Sequence, residues 1–283
     1  KDFKPGDIVA VPAVTPMWRN LDVQDCNHQH SGGYLGGRYL SSKWDGMFAE
    51  YFKVPDVDLN VAKIPDGVSL EAAALVGDMV TTGFHGVELA DVKFGDRVCV
   101  IGIGPVGLMS VAGCVLRGAA EIYAVGHRPV TRELAMQYGA TATIDYQDGP
   151  IVEQVMKLTG GQQIEKVIIA GGEPTVFNDA LALVKYTGTV ANLAGHGRTE
   201  LLLPIYTNES GFGFCAHKTV TGGLCPGGRR RIERLMGMVK TGRFEPEKLI
   251  THRFYGLDGI EEAFDLMKSK NPEVIKPIIY FDK

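Results

Sequence analysis

An α/β fold built on a doubly wound parallel sheet of six strands is predicted by three features of this 283-residue chain. From Arg97 onward, strand-like apolar runs and amphipathic helix-like runs alternate at the rhythm of βαβ units. The strand runs are almost continuously apolar, as in Val98-Cys99-Val100-Ile101 and Val167-Ile168-Ile169, which is what a sheet covered on both faces requires. The first of them leads into Gly102-Ile103-Gly104-Pro105-Val106-Gly107 and then a helical run, so the glycines fall at a strand-to-helix turn.

In chain order, residues 1 to about 70 carry short β-like runs, Ile8–Val11 and Met47–Val54, between Gly, Pro, Ser and Asp clusters. This is the pattern of a small all-β unit. Leu70 to Ala90 is helical by spacing. Strands are expected at Arg97–Ile101, Glu121–Val125, Thr143–Asp145, Lys166–Ala170, Gly188–Leu193 and Lys218–Gly222, with helices between the first five. After Pro226 come two amphipathic helices, Arg231–Lys240 and Gly259–Lys268, and a closing strand, Lys276–Phe281. Internal repeats and low-complexity segments are absent.

Composition narrows the function classes. With 45% hydrophobic and 22% charged residues, the chain reads as a soluble globular protein of two domains. A chain of this length buries about 75% of its unfolded surface, so a metal or disulfide is not needed to hold the core and any metal would be functional. The net charge of −4 comes from 33 acids and 29 bases dispersed along the chain, which implies no nucleic-acid partner. The one dense basic run, Arg229-Arg230-Arg231, precedes Ile232, Leu235, Met236 and Val239 at helical spacing and reads as a solvated opening turn rather than an anion site. The five cysteines, Cys26, Cys99, Cys114, Cys215 and Cys225, form no C-x-x-C pair, so a structural zinc lobe is not expected. With neither a secretory leader nor a membrane-spanning apolar run, a reducing cytoplasm and no membrane association are expected. Lys1 leads directly into the first strand without an initiator Met, as an interior residue of a longer chain would.

The glycine turn carries the first chemistry. In its strand-turn-helix context it is a Rossmann dinucleotide fingerprint. Gly102 permits the tight turn, Gly104 lets backbone approach a pyrophosphate, and Gly107 lets helix and strand pack closely. Pro105 and Val106 open the helix, whose N-terminal N–H groups address the anion. At the end of the second strand an NAD site places Asp or Glu for the ribose 2′-hydroxyl. Here the residues are Gly126-His127-Arg128-Pro129. Without a carboxylate to repel it, a 2′-phosphate has room at Gly126 and a charge-assisted clamp in Arg128, which points to NADP. The alternative is that Arg128 is a solvated loop residue and specificity is relaxed.

With these residues in view, the chain resembles the NADP-dependent, zinc-containing secondary alcohol dehydrogenases within the medium-chain family. The likeness runs end to end, through Lys1–Asp7, Gln29–Gly33, Asp78–Gly86 (DMVTTGFHG), Val100–Gly107 (VIGIGPVG), Ala124–Pro129, Ile169–Gly172 and Gly222–Gly228 (GGLCPGG). It implies hydride transfer between small secondary alcohols or ketones and NADP(H), assisted by a catalytic zinc acting as Lewis acid, in a homotetramer. It also implies three regions: the remainder of a GroES-like β domain (1–81), an NADP-binding Rossmann domain (82–224) and a return to the catalytic domain (225–283). Asp78 would be a zinc ligand, where horse-liver-type relatives use Cys, and Gly126, His127, Arg128 and Tyr146 would surround the 2′-phosphate, with Tyr146 against the adenine. His127 departs from the family pattern, which has Ser there, and Arg38 stands where relatives often carry an aromatic near the substrate. The family's remaining zinc ligands, a Cys and a Gly-His-Glu pair, and the hydroxyl that begins its proton relay belong upstream of Lys1; no Gly-His-Glu occurs in the sequence.

Several residues carry a plainer reading beside the functional one. Taken alone, Asp78 before a helical run reads as an N-cap. Cys26, His28 and His30 have ligand types but sit in a glycine-rich loop. His85, two turns beyond Asp78, reads as packing, and Cys215 as a buried apolar thiol. Two further functional readings stay open: a non-catalytic NADP-binding fragment, and a zinc-free quinone-reductase-like enzyme, against which Asp78 in its ligand context speaks.

Overall fold

The computed structural model describes residues 2–25, 46–201 and 217–281. The readings made of Cys26, His28, His30, Arg38, Cys215 and the Gln29–Gly33 stretch lie outside the described residues. The chain forms two compact units, Gly83–Gly223 and a second composed of Lys1–Thr82 with Leu224–Lys283.

In the composite unit, β1 (Val9–Ala10) pairs antiparallel with β2 (Ala62–Lys63), Ala10 opposite Ala62. Met47–Val54, expected as a strand, is instead a run of bends and irregular backbone. Phe48, Tyr51 and Phe52 are all exposed, so the run has no buried face for strand pairing to complete. The helical stretch begins at Leu70, capped by Ser69 Oγ, which accepts from the Ala72 N–H at 3.0 Å. Helix Leu70–Leu75 then widens into a π turn at Val76–Val80 before continuing as Thr81–Leu89. Gly77 is required in that turn: a Cβ there would stand 2.8 Å from the Val11 carbonyl oxygen, and its own carbonyl accepts from Ala13 N–H at 2.9 Å.

The sheet unit contains β3 (Arg97–Ile101), β4 (Glu121–Val125), β5 (Ala142–Ile144), β6 (Ile164–Ile169), β7 (Val184–Asn192) and β8 (Thr219–Gly222). All six are parallel, in the order β5-β4-β3-β6-β7-β8. Helices Pro105–Leu116, Pro129–Gln137, Ile151–Leu158 and Val176–Leu183 connect the first five. Val98, Cys99, Val100, Val167 and Ile168 are wholly buried, the burial on both faces that their unbroken apolarity foretold. Strand β7 starts four residues before the expected Gly188, because helix Val176–Leu183 passes straight into it and Val184 already pairs with Ile164. Strand order reverses between β3 and β6. In open α/β sheets, ligands bind beyond the carboxyl ends of the strands at such a reversal.

The composite unit resumes with helix Arg229–Lys240, which includes the whole arginine run in its first turn, then β9 (Ile250–Tyr255), helix Asp258–Lys268 and β10 (Lys276–Tyr280). Strand β9 was not expected; it pairs in parallel with β10. Glu71 fastens this pair to the first segment, accepting from Arg253 Nε at 2.8 Å, from Arg253 Nη2 at 3.1 Å and from the Tyr280 hydroxyl. No helix among the described residues is long and apolar enough to cross a membrane.

Candidate functional site

The turn after β3 shows why it needs glycine. Gly102 has φ +90°, and a Cβ on it would lie 2.6 Å from the Gly171 nitrogen. A Cβ on Gly107 would stand 2.0 Å from the Gly102 carbonyl oxygen, so the helix could not sit this close to the turn. Gly104 differs: a Cβ there would meet nothing and would instead project into open space. Gly104 is also the helix N-cap and offers no side-chain cap, while Pro105 occupies the first turn, where its missing N–H costs nothing. The first-turn N–H groups are left for an anion.

A cavity of about 550 Å³ opens at this turn, and Gly102, Gly104, Gly126, His127, Arg128 and Tyr146 are among the residues lining it. Pro105, Val106 and Gly107 are not on its wall; they form the first turn of helix Pro105–Leu116. Six of the sequence-selected residues are therefore gathered on one cavity. Gly126 also has a packing reason to be glycine, since a Cβ would lie 2.3 Å from Ile103 Cγ1. Arg128 is half-buried at the start of helix Pro129–Gln137, and burial lowers its guanidinium below the ordinary arginine value. It is a cation partly stripped of water, on the wall of a cavity. Tyr146 is 53% exposed, its ring centroid 5.9 Å from that of His127.

One residue of this site was missed in the sequence. Strand β4 ends without a carboxylate, as read, but Asp145 reaches the same place from β5: its carboxyl oxygens lie 3.0 and 3.1 Å from His127 Nδ1. Arg132 Nη1 donates to it at 3.2 Å and the Gln147 N–H at 2.9 Å. The Gln147 N–H chiefly holds the Asp145 carboxyl below the usual carboxylate range; burial pushes the other way, and His127 and Arg132 add to the lowering. The expectation that no carboxylate stands beside the Gly126–Arg128 turn is thus corrected. The signal was available: parallel pairing sets Val125 opposite Ile144, so the residue after Ile144 falls beside those after Val125.

Asp78 lies inside the π turn Val76–Val80, not at a helix start, which corrects the N-cap reading. It is half-buried, and its Oδ1 accepts from Thr82 Oγ1 at 3.1 Å. Nearby, burial pushes the Cys225 thiol up, so it stays protonated at neutral pH. Thr81 Oγ1 donates to the Pro226 carbonyl at 3.2 Å and accepts from Arg231 Nε at 3.0 Å. Among the described residues no group of three His, Cys, Asp or Glu could hold a metal ion. Among the described residues, one carboxylate, one thiol and hydroxyls fall short of the three protein ligands that a catalytic zinc takes. His85 is buried, with Nδ1 3.2 Å from Glu88 Oε2, as a packed helix residue.

A family model described as "Zinc-binding dehydrogenase" matches residues 105–240. The chain is 53% identical over 279 residues to the NADP-dependent isopropanol dehydrogenase of Thermoanaerobacter brockii, covering 99% of this chain and 79% of that protein. It is 51% identical, with the same coverage, to the NADP-dependent isopropanol dehydrogenase of Clostridium beijerinckii. Among solved structures, alcohol dehydrogenase TADH from Thermus sp. ATN1 superposes with a TM-score of 0.85 at 25% identity, over 99% of this chain and 79% of that one.

Proposed function

The chain belongs to the zinc-binding alcohol dehydrogenase family, and on that premise we propose that it is an NADP-dependent oxidoreductase interconverting small secondary alcohols and ketones. The observation that carries the reading is the 550 Å³ cavity, lined by Gly104, the N-cap of a helix without a side-chain cap, and by the half-buried Arg128.

NADP fits the residues present. The open space in front of Gly104 admits a pyrophosphate to the first-turn N–H groups, Arg128 clamps the 2′-phosphate, and Tyr146 offers a ring face to the adenine. The bound nicotinamide supplies the hydride acceptor or donor; the chain binds and orients it. Zinc is a different case. Asp78 is a ligand of the right type, but the described residues around it do not complete a site, and no step is routed through the metal.

The test is binding of NADPH and NADH to the wild type and to Arg128→Ala. The variant is expected to lose about 10- to 100-fold in NADPH affinity, the range of a hydrogen bond to a charged group, with little change for NADH. Equal losses for both cofactors would overturn the assignment. A second reading, NADP binding without turnover, is favoured by the lack, among the described residues, of a group of three metal-ligating side chains around Asp78. The zinc-to-protein ratio after dialysis separates the two: one zinc per chain, lost in Asp78→Ala, supports catalysis, and none supports binding alone. The homotetramer and the cytoplasmic location are part of the proposal; the buried thiols Cys99, Cys114 and Cys225 are in keeping with a reducing compartment.

A further inference from the structure

We propose that His127, tethered by Asp145, is a protonatable ligand of the 2′-phosphate, so that this chain's preference for NADP over NAD weakens as pH rises. The proposal rests on the NADP reading above.

The argument is one of donors and acceptors. His127 lines the cavity beside Arg128, its side chain 42% exposed, and both of its hydrogen bonds are made through Nδ1 to the Asp145 carboxylate. Asp145 is buried and ionised, so it only accepts, and Nδ1 must carry the hydrogen. A neutral imidazole has one N–H; with that hydrogen committed to Asp145, Nε2 presents a lone pair. A phosphate also only accepts. The neutral ring therefore opposes a 2′-phosphate, whereas the doubly protonated ring donates to Asp145 and to the phosphate at once and adds a positive charge. A hydroxyl in this place would donate without gaining a proton, so the dependence rests on the imidazole and its tether to Asp145.

The surrounding charges are few. Asp145 and Tyr146 face the ring from the end of β5, Arg132 from helix Pro129–Gln137 and Arg128 from the same turn, while Glu173 lines the cavity from the loop after β6. Asp145 is the anion bonded to the ring, and Arg132 shares its carboxylate. A bound 2′-phosphate adds a second anion and draws the proton on. Imidazole is the side chain whose charge changes in the range of physiological pH.

The experiment is calorimetric titration with 2′,5′-ADP and with 5′-AMP between pH 6.5 and 8.5, on the wild type, His127→Asn and His127→Ser. The Asn variant keeps a donor toward Asp145 but cannot be charged. In the wild type, the preference for 2′,5′-ADP over 5′-AMP should fall about tenfold across this range, the worth of one charge-assisted hydrogen bond, and 2′,5′-ADP binding near neutral pH should take up a proton, read from buffers of different ionisation enthalpy. Both variants should lose that excess slope and the protein's proton uptake; the phosphate's own titration is common to all three proteins and cancels. A wild-type preference that does not change with pH, or a slope retained in His127→Asn, would overturn the proposal while leaving NADP specificity standing. Absence of any preference for 2′,5′-ADP at every pH would overturn the NADP reading itself. The wild-type proton uptake decides the matter even if a variant fails to fold.

Discussion

The sheet unit and the composite unit solve the same problem of burying apolar side chains with unequal means. In Gly83–Gly223 six parallel strands are covered by helices, and Val98, Val100, Leu108, Val167 and Ile168 are wholly buried. In the composite unit the described residues form two two-stranded sheets beside helices, the longest of them Arg229–Lys240 and Asp258–Lys268, and Leu21, Phe48, Tyr51 and Tyr255 are more than 60% exposed. The chemistry divides the same way. The sheet unit assembles the whole cavity wall from its own contiguous segment, whereas among the described residues of the composite unit Asp78 belongs to no group of three His, Cys, Asp or Glu. A recognition site that needs backbone N–H groups and one strand register can be carried by a single continuous fold. A metal site needs several side chains to converge from separate places.

The contrast can be tested, beginning where the largest effect is expected. Gly107→Ala forces a Cβ against the Gly102 carbonyl oxygen, 2.0 Å away. It should cost about 3 kcal/mol or more and abolish cofactor binding, in the range of strained-backbone and overpacking substitutions. Gly104→Ala, whose Cβ meets no protein atom, should leave the melting temperature nearly unchanged and still block the dinucleotide. Equal melting temperatures for the two variants would show that the turn is not the packed keystone of the sheet unit.

Next comes Glu165, which joins β3 to β7 by accepting from Arg97 Nε at 3.2 Å and Lys185 Nζ at 2.8 Å. Burial pushes its carboxyl up, but the hydrogen bonds from Lys185 and Arg97 outweigh it and hold the value down at about 2. A carboxyl depressed in the fold stabilises above its ordinary value near 4.5 and loses that contribution as pH falls toward about 2. Glu165→Gln should therefore cost up to about 3 kcal/mol at neutral pH, with the gap from wild type closing between pH 4.5 and 2 in denaturant melts. A constant gap across that range would mean the pair does not act through charge.

The smallest effect belongs to the composite unit. Ser69→Ala removes the cap on Ala72 and the 2.7 Å bond from Ser69 Oγ to Glu247 Oε1, and should cost about 1 kcal/mol. A change well beyond that would place more of the unit's stability at this junction than its exposed contacts suggest.

What the sequence makes legible follows the same division. Strands β3 and β4 were read to the residue because their apolar runs are unbroken and bounded by glycine or charge. Strand β9 was not, because Thr251, His252 and Arg253 interrupt any apolar alternation and the strand is only partly buried. The π turn was invisible because the residues on both sides have helical spacing; its cause, the Val11 backbone closing on Gly77, is a contact between segments far apart in the chain. In the site, glycine spacing and Arg128 could be read locally. Asp145 could not, since only the pairing of β4 with β5 brings it to His127.

The composite unit is held by bonds that skip over the sheet unit. Ser69 to Glu247, Glu71 to Arg253 and Asp2 to Arg229 join residues 178, 182 and 227 positions apart. During synthesis the sheet unit is complete before any of these partners exists, and at typical ribosome speeds the earlier segment waits on the order of ten seconds for its other half. The order of emergence from the ribosome therefore favours a finished cofactor fold beside an unfinished neighbour, the Lys1–Thr82 segment, whose partners in its own unit are still to be made.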